Sequence, residues 1–180
     1  RNPDAFSAET DDSGKGRMWI TIVVLLLVLT GMIAGTIFYD TSDDIVDAQC
    51  NAEPAPGVIW NNCNKNRLNA ERSQLDQLQA SNAILTAASL AAVSLQKANL
   101  NYARLDDADM AYANLTQASL KGSSLNNVDL SNAILRDADL RFADLTGARI
   151  SGADFSGAKL DSAVWIDGRK CQRGSVGQCR

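Results

Sequence analysis

From Leu85 onward every fifth residue is large and apolar, through Met110, Ile150 and Phe155 to Trp165, seventeen positions without a slip of frame. Two residues before each stands a small one, Ala at fourteen of the seventeen, with Val93, Ser123 and Val128 the exceptions. The positions between are mostly Asn, Asp, Ser, Arg, Lys, Gly and Thr. A helix would repeat its apolar face near every 3.6 residues and a strand every second residue. A period of five with two inward sites predicts a short extended run and a turn, over and over. One such unit cannot bury its own side chains, but stacked units bury them together as a solenoid.

The stretches KANLNYARLDDADMAYANLTQASL and RDADLRFADLTGARISGADFSGAKL follow the pattern A(D/N)LXX and resemble the pentapeptide-repeat family. The resemblance implies an all-β solenoid, a right-handed four-sided β-helix with about four repeats per coil. It also implies that the central residue and the small residue before it point inward. Counted backwards, the frame places Cys63, Leu68, Ser73 and Leu78 at small sites and Lys65, Ala70, Leu75 and Ala80 at central ones. Leu68 with Ala70, and Leu78 with Ala80, exchange large for small and nearly conserve interior volume. The frame therefore predicts a β-helix over 63–167, with 83–165 its most regular stretch. Lys65 breaks the pattern, and a capping helix over 66–79, with Leu68, Leu75 and Leu78 inward, competes for the first turn.

An open solenoid end would expose core and strand edges, so both ends need covers. Residues 40–62 are expected to form a linker and N-terminal cap, and 168–180 a C-terminal cap. PGVIWNNC before the repeats and DGRKCQRGSVGQC after them resemble the ends of bacterial family members. Four cysteines allow three pairings. Cys50 and Cys63 lie at one end of the array and Cys171 and Cys179 at the other, so the local bridges Cys50–Cys63 and Cys171–Cys179 are expected. Neither pair is CxxC and the chain has no His, which disfavours zinc.

A different pattern precedes the repeats. Trp19 to Phe38, WITIVVLLLVLTGMIAGTIF, is uncharged. Twenty helical residues span about 30 Å, the thickness of a bilayer core. A transmembrane helix is predicted over 18–39. A cleavable signal peptide would have a shorter apolar core and a small-residue cleavage site after it. Lys15 and Arg17 precede the segment, whereas Asp40, Asp43, Asp44 and Asp47 follow it. The positive-inside rule places 1–17 in the cytoplasm as a flexible tail and the rest outside. The expected location is the inner (plasma) membrane with the C-terminal domain in the periplasm, or a thylakoid membrane facing the lumen. Oxidised cysteines suit either compartment. Gly31 and Gly35 form GxxxG and are candidates for helix–helix packing.

Charge and chemistry narrow the function. Residues 81–180 carry 11 Lys/Arg and 10 Asp, close to neutral, which argues against a nucleic-acid partner. It also argues against the DNA mimicry of the family's acidic topoisomerase inhibitors. Without His, a phosphate loop or a nucleophile elbow, neither catalysis nor a cofactor is expected. Asp109, Asp129 and Arg149 fall in one column of a 20-residue coil and read as a solvated ladder, not a metal site. Tyr102, Tyr112 and Phe142 take turn positions and should face solvent; with the 20-residue coil that the resemblance implies, Tyr102 and Phe142 fall on the same side, two coils apart, with Gly122 between them. Exposed aromatics are common interface anchors, so these three are the candidate partner surface. The chain is expected to be a non-enzymatic, membrane-anchored scaffold or accessory subunit docking on a larger membrane complex, with homo-oligomerisation open. A periplasmic ligand- or envelope-binding protein is the alternative.

Overall fold

The computed structural model describes residues 49–180. The expected cytoplasmic tail, the transmembrane helix, the Gly31/Gly35 stripe and the acidic stretch Asp40–Asp47 lie outside the described residues. Among the described residues no helix is long and apolar enough to cross a membrane.

From Ile59 the backbone winds as a β-helix in which residue i pairs in parallel with residue i+20, from Ile59 with Gln79 to Asp144 with Val164. Coils 1 to 5 begin at Ile59, Gln79, Asn99, Ser119 and Asp139, and a partial sixth begins at Lys159. Four faces follow from four pentapeptides per coil. Pairing begins at Ile59, four residues before the expected start. Asn64, Asn69 and Gln74 pair with Ile84, Ser89 and Ser94, so 66–79 is coil and not a capping helix.

Two sets of hydrogen bonds make each corner. In coil 3 the Ala103 amide donates to the Leu100 carbonyl at 3.1 Å, closing a turn around Asn101 and Tyr102. The Leu100 and Tyr102 amides donate to the carbonyls of Ser119 and Lys121 in the next coil, at 2.7 and 3.0 Å. This geometry requires positive φ at the second corner residue, 58° at Tyr102. A left-handed conformation costs a residue with a Cβ about 1 kcal/mol. The inter-coil bond made by the same amide offsets that cost.

The motif's Asp or Asn has a local task. At Asn64, Asn69, Asn99, Asp109, Asn114, Asp129, Asp139, Asp144 and Asp154 the side-chain oxygen accepts from the amide two residues on, capping the corner. Gln79, Ser94, Ser119 and Ser124 replace it in four repeats. There the corner amide is bound instead by Asn61, Asp76, Asn101 or Asp106, twenty residues earlier.

The core is a column of leucines and alanines, with Leu100, Leu105, Met110, Leu115 and Leu120 fully buried. Trp60, also fully buried, fills its base, and its Nε1 donates to the Ala52 carbonyl at 3.2 Å. Lys65, the residue that breaks the motif, lays its Nζ 4.5 Å from the Trp60 ring centroid, a cation–π contact in place of a core leucine. At the other end Trp165 is half-buried and meets Phe155 edge-on at 5.5 Å. Cys50 is bonded to Cys63 and Cys171 to Cys179. The tail turns back over the last coil, pairing antiparallel at Lys159 with Val176 and at Val164 with Lys170.

Candidate interaction surface

The coil period decides which exposed side chains meet. Tyr102 and Phe142 are forty residues apart, two coils, and occupy the same corner, that between the face of Ser119 and the face of Ser124. Gly122 holds the intervening coil. Tyr112 is ten residues from Tyr102, half a coil, and stands on the diagonally opposite corner. The three aromatics therefore form two surfaces, not one. All three are well exposed, Tyr102 at 56%, Tyr112 at 66% and Phe142 at 57%.

Gly122 shapes the first surface. A Cβ built there would lie 2.7 Å from Cδ1 and Cε1 of Tyr102, so the tyrosine ring leans over the glycine. Tyr102 and Phe142 thereby cover three successive coils of one corner. Basic residues border them. Lys121 precedes Gly122, and its Nζ stands 5.9 Å from the Phe142 ring centroid. Arg141 precedes Phe142 and grips Asp139 with two bonds, 2.8 and 2.6 Å. Arg104 flanks Tyr102, 3.7 Å from Asp106. Lys121 has no ion-pair partner among the described residues. The Tyr112 corner has Ala91, Ala92 and Ala111 beside it and no such basic border.

The acidic column also resolves. Asp109 pairs with Asp129 and Asp129 with Arg149, as the coil period requires. Arg149 reaches back to Asp129 at 2.7 Å. The Asp129 carboxyl is held below the usual carboxylate range by the Ser131 hydrogen bond and by Arg149. Among the described residues no three acidic or cysteine side chains converge as a metal cage. Lys121 is the member of the aromatic corner that motif reading undervalues. Its signal is position alone, next to the glycine that lies twenty residues from both Tyr102 and Phe142.

A family model for pentapeptide repeats matches residues 88–127 and 123–161, eight copies in all. With the four-sided coil, this decides the class. Residues 88–161 are pentapeptide repeats of that family. Among solved structures it is similar to HetL, a pentapeptide-repeat protein involved in heterocyst differentiation regulation in the cyanobacterium Nostoc, at 34% identity and a TM-score of 0.50. That match covers 62% of this chain and 55% of HetL, so this chain spans little more than half of HetL's length. A pentapeptide-repeat protein of the Arabidopsis thaliana thylakoid lumen matches at 18% identity and a TM-score of 0.35, covering 72% of this chain and 92% of that one. The plasmid-mediated fluoroquinolone resistance protein QnrB1 matches at 19% identity and a TM-score of 0.30, covering 58% of this chain and 52% of its own. No curated protein sequence matches the chain.

Proposed function

We propose that this pentapeptide-repeat chain is a non-enzymatic interaction module, anchored in a membrane through residues 18–39, that docks on other subunits of a membrane complex. The observation that carries the reading is the pair of exposed aromatics at one corner of an otherwise polar rod. Tyr102 and Phe142 gain little from burial within their own chain, and each sits in a left-handed backbone conformation that favours Gly or Asn. Such a rod is stiff because every coil is hydrogen-bonded to the next, so a docking corner loses little entropy on binding. The uncharged run Trp19–Phe38 supplies the anchor, and the acidic residues after it favour a non-cytoplasmic rod.

The test is affinity purification of the full chain in mild detergent, with protease applied to intact cells or organelles. Recovery of a fixed set of membrane subunits, with a rod cleaved or tagged from outside, is the expected result. A chain recovered alone after crosslinking, or a rod protected on the cytoplasmic side, overturns it. Replacing Gly31 and Gly35 with Leu then asks whether the membrane helix contributes to the contact. Loss of the subunits assigns it a share, and unchanged recovery leaves the rod alone responsible.

A further inference from the structure

We propose that the Tyr102–Gly122–Phe142 corner is the docking strip, and that its partner is an acidic amphipathic polypeptide segment. The inference deepens the interaction-module reading and rests on it. Three features converge on one corner. The aromatic side chains lie on alternate coils and are both more than half exposed. Gly122 between them lets the Tyr102 ring lie down, so the two become one strip three coils long, about 14 Å at the strand spacing. Basic groups border that strip on every coil, Arg104 beside Tyr102, Lys121 beside Gly122 and Arg141 beside Phe142, where they share the border with Asp139 and Asp144.

The charges identify the chemistry of the occupant. Arg141 is committed to Asp139, which binds it through both carboxylate oxygens. Arg104 has only a long contact to Asp106, and Lys121 forms no ion pair among the described residues. Lys121 and Arg104 thus remain to pair with a partner's carboxylates, while Tyr102 and Phe142 cover its apolar side chains. A basic partner would meet repulsion at Lys121. A purely apolar partner would bury that ammonium without compensation. The Tyr112 corner supplies an internal contrast. It carries an equally exposed aromatic in the same backbone conformation, with alanines in place of cations.

The experiment uses the full chain in detergent and three short synthetic peptides. They share their leucines and differ only in polar residue, Glu, Gln or Lys. Fluorescence anisotropy is expected to show the Glu peptide binding about tenfold more tightly than the Gln peptide, with no saturable binding of the Lys peptide. Rising salt is expected to erase the Glu advantage. Lys121→Glu is expected to abolish that advantage, and Tyr102→Ala with Phe142→Ala to abolish binding of all peptides. Tyr112→Ala is expected to bind as the parent does. Equal affinity for Glu and Lys peptides, or unchanged binding by the Tyr102/Phe142 variant, overturns the proposal. Tyr102, Tyr112 and Phe142 are exposed and Lys121 is half-buried, and unchanged circular dichroism separates lost binding from lost fold. Recovery of membrane subunits by the Tyr102/Phe142 variant would overturn this strip while leaving the broader module reading standing.

Discussion

Asn101 reaches across one coil to hold Ser119: its Oδ1 accepts from the Ser119 hydroxyl at 2.6 Å and from the Lys121 amide at 3.1 Å. Asp76 does the same for Ser94, at 2.5 Å, and for the Gln96 amide. Asp106 repeats it with Ser124 and Asn126. These rungs occur where the motif's own Asp or Asn has become Ser. At these corners the serine hydroxyl donates to the previous coil, and that coil supplies the acceptor for the corner amide.

The rung is therefore expected to behave as one unit. Asn101→Ala should cost about 1 kcal/mol, since the Lys121 amide loses its acceptor and Ser119 its partner. Ser119→Ala should cost less once Asn101 is gone, with a coupling of about 0.5–1 kcal/mol. Urea midpoints for the two single variants and the double variant measure this. Simple additivity would show that the Ser119–Asn101 hydrogen bond contributes no net stability.

The core makes a sharper contrast between neighbours. Leu120 is fully buried, and Leu120→Ala is expected to cost about 2–5 kcal/mol through lost contact and the cavity left behind. Ser123, three residues on, is the buried polar exception among the inward small positions. Its hydroxyl donates to the Leu120 carbonyl at 2.8 Å, and that carbonyl also accepts from the Ser123 amide. Ser123→Ala removes a donor without orphaning an acceptor, so a change within about 1 kcal/mol is expected. The same unfolding curves give both values.

These cases mark what the amino-acid order reveals. The inward columns are legible because burial acts on each pentapeptide separately and writes itself at every fifth position. Tyr102 and Phe142 could be placed together once the coil was taken as twenty residues. That number came from family resemblance, because a period of five does not say how many repeats close a turn. The rungs from Asn101 and Asp106 were not legible, since each joins residues of two different coils at positions the motif leaves variable. Nor was the Lys65–Trp60 contact, which looks like a broken motif until the end of the stack is seen. The antiparallel return of the tail depends on strand edges that exist only after the last coil has formed.

The corner carboxylates predict an acid-sensitive rod. Hydrogen bonds from Ser156 and the charge of Arg136 bring the Asp154 carboxyl down to about 2, from an ordinary 3.8. The Arg141 guanidinium lowers Asp139 in the same way. Burial would raise Asp106, but hydrogen bonds from Ser124 and Asn126 outweigh it and leave it lowered. A carboxyl with a lower pKa folded than unfolded stabilises the fold while ionised in both states. As pH falls from about 4 towards 2 the unfolded chain takes up protons first, and stability declines. Above that window these groups contribute no slope. Urea midpoints across the acid range are expected to fall less steeply in Asp154→Asn, and an unchanged slope would remove Asp154 from the account.

The last prediction concerns the tail. Its strand edges cover the Leu160, Ser162 and Trp165 amides, which donate to the carbonyls of Ser175, Cys171 and Arg169. Each pairing is short, and a short strand holds poorly alone. The Cys171–Cys179 bond closes the loop that holds them, a constraint on the order of 3 kcal/mol for loops of this size. Replacing both cysteines with Ser is expected to release the tail while the coils stay wound. Hydrogen exchange should accelerate at Leu160, Ser162 and Trp165 and stay slow at Leu100, deep in the stack. The uncovered edge then offers unpaired backbone to other copies, so light scattering should rise with concentration. Protection retained at all three amides would mean that backbone pairing and the packing of Trp165 on Phe155 hold the cap without the bond.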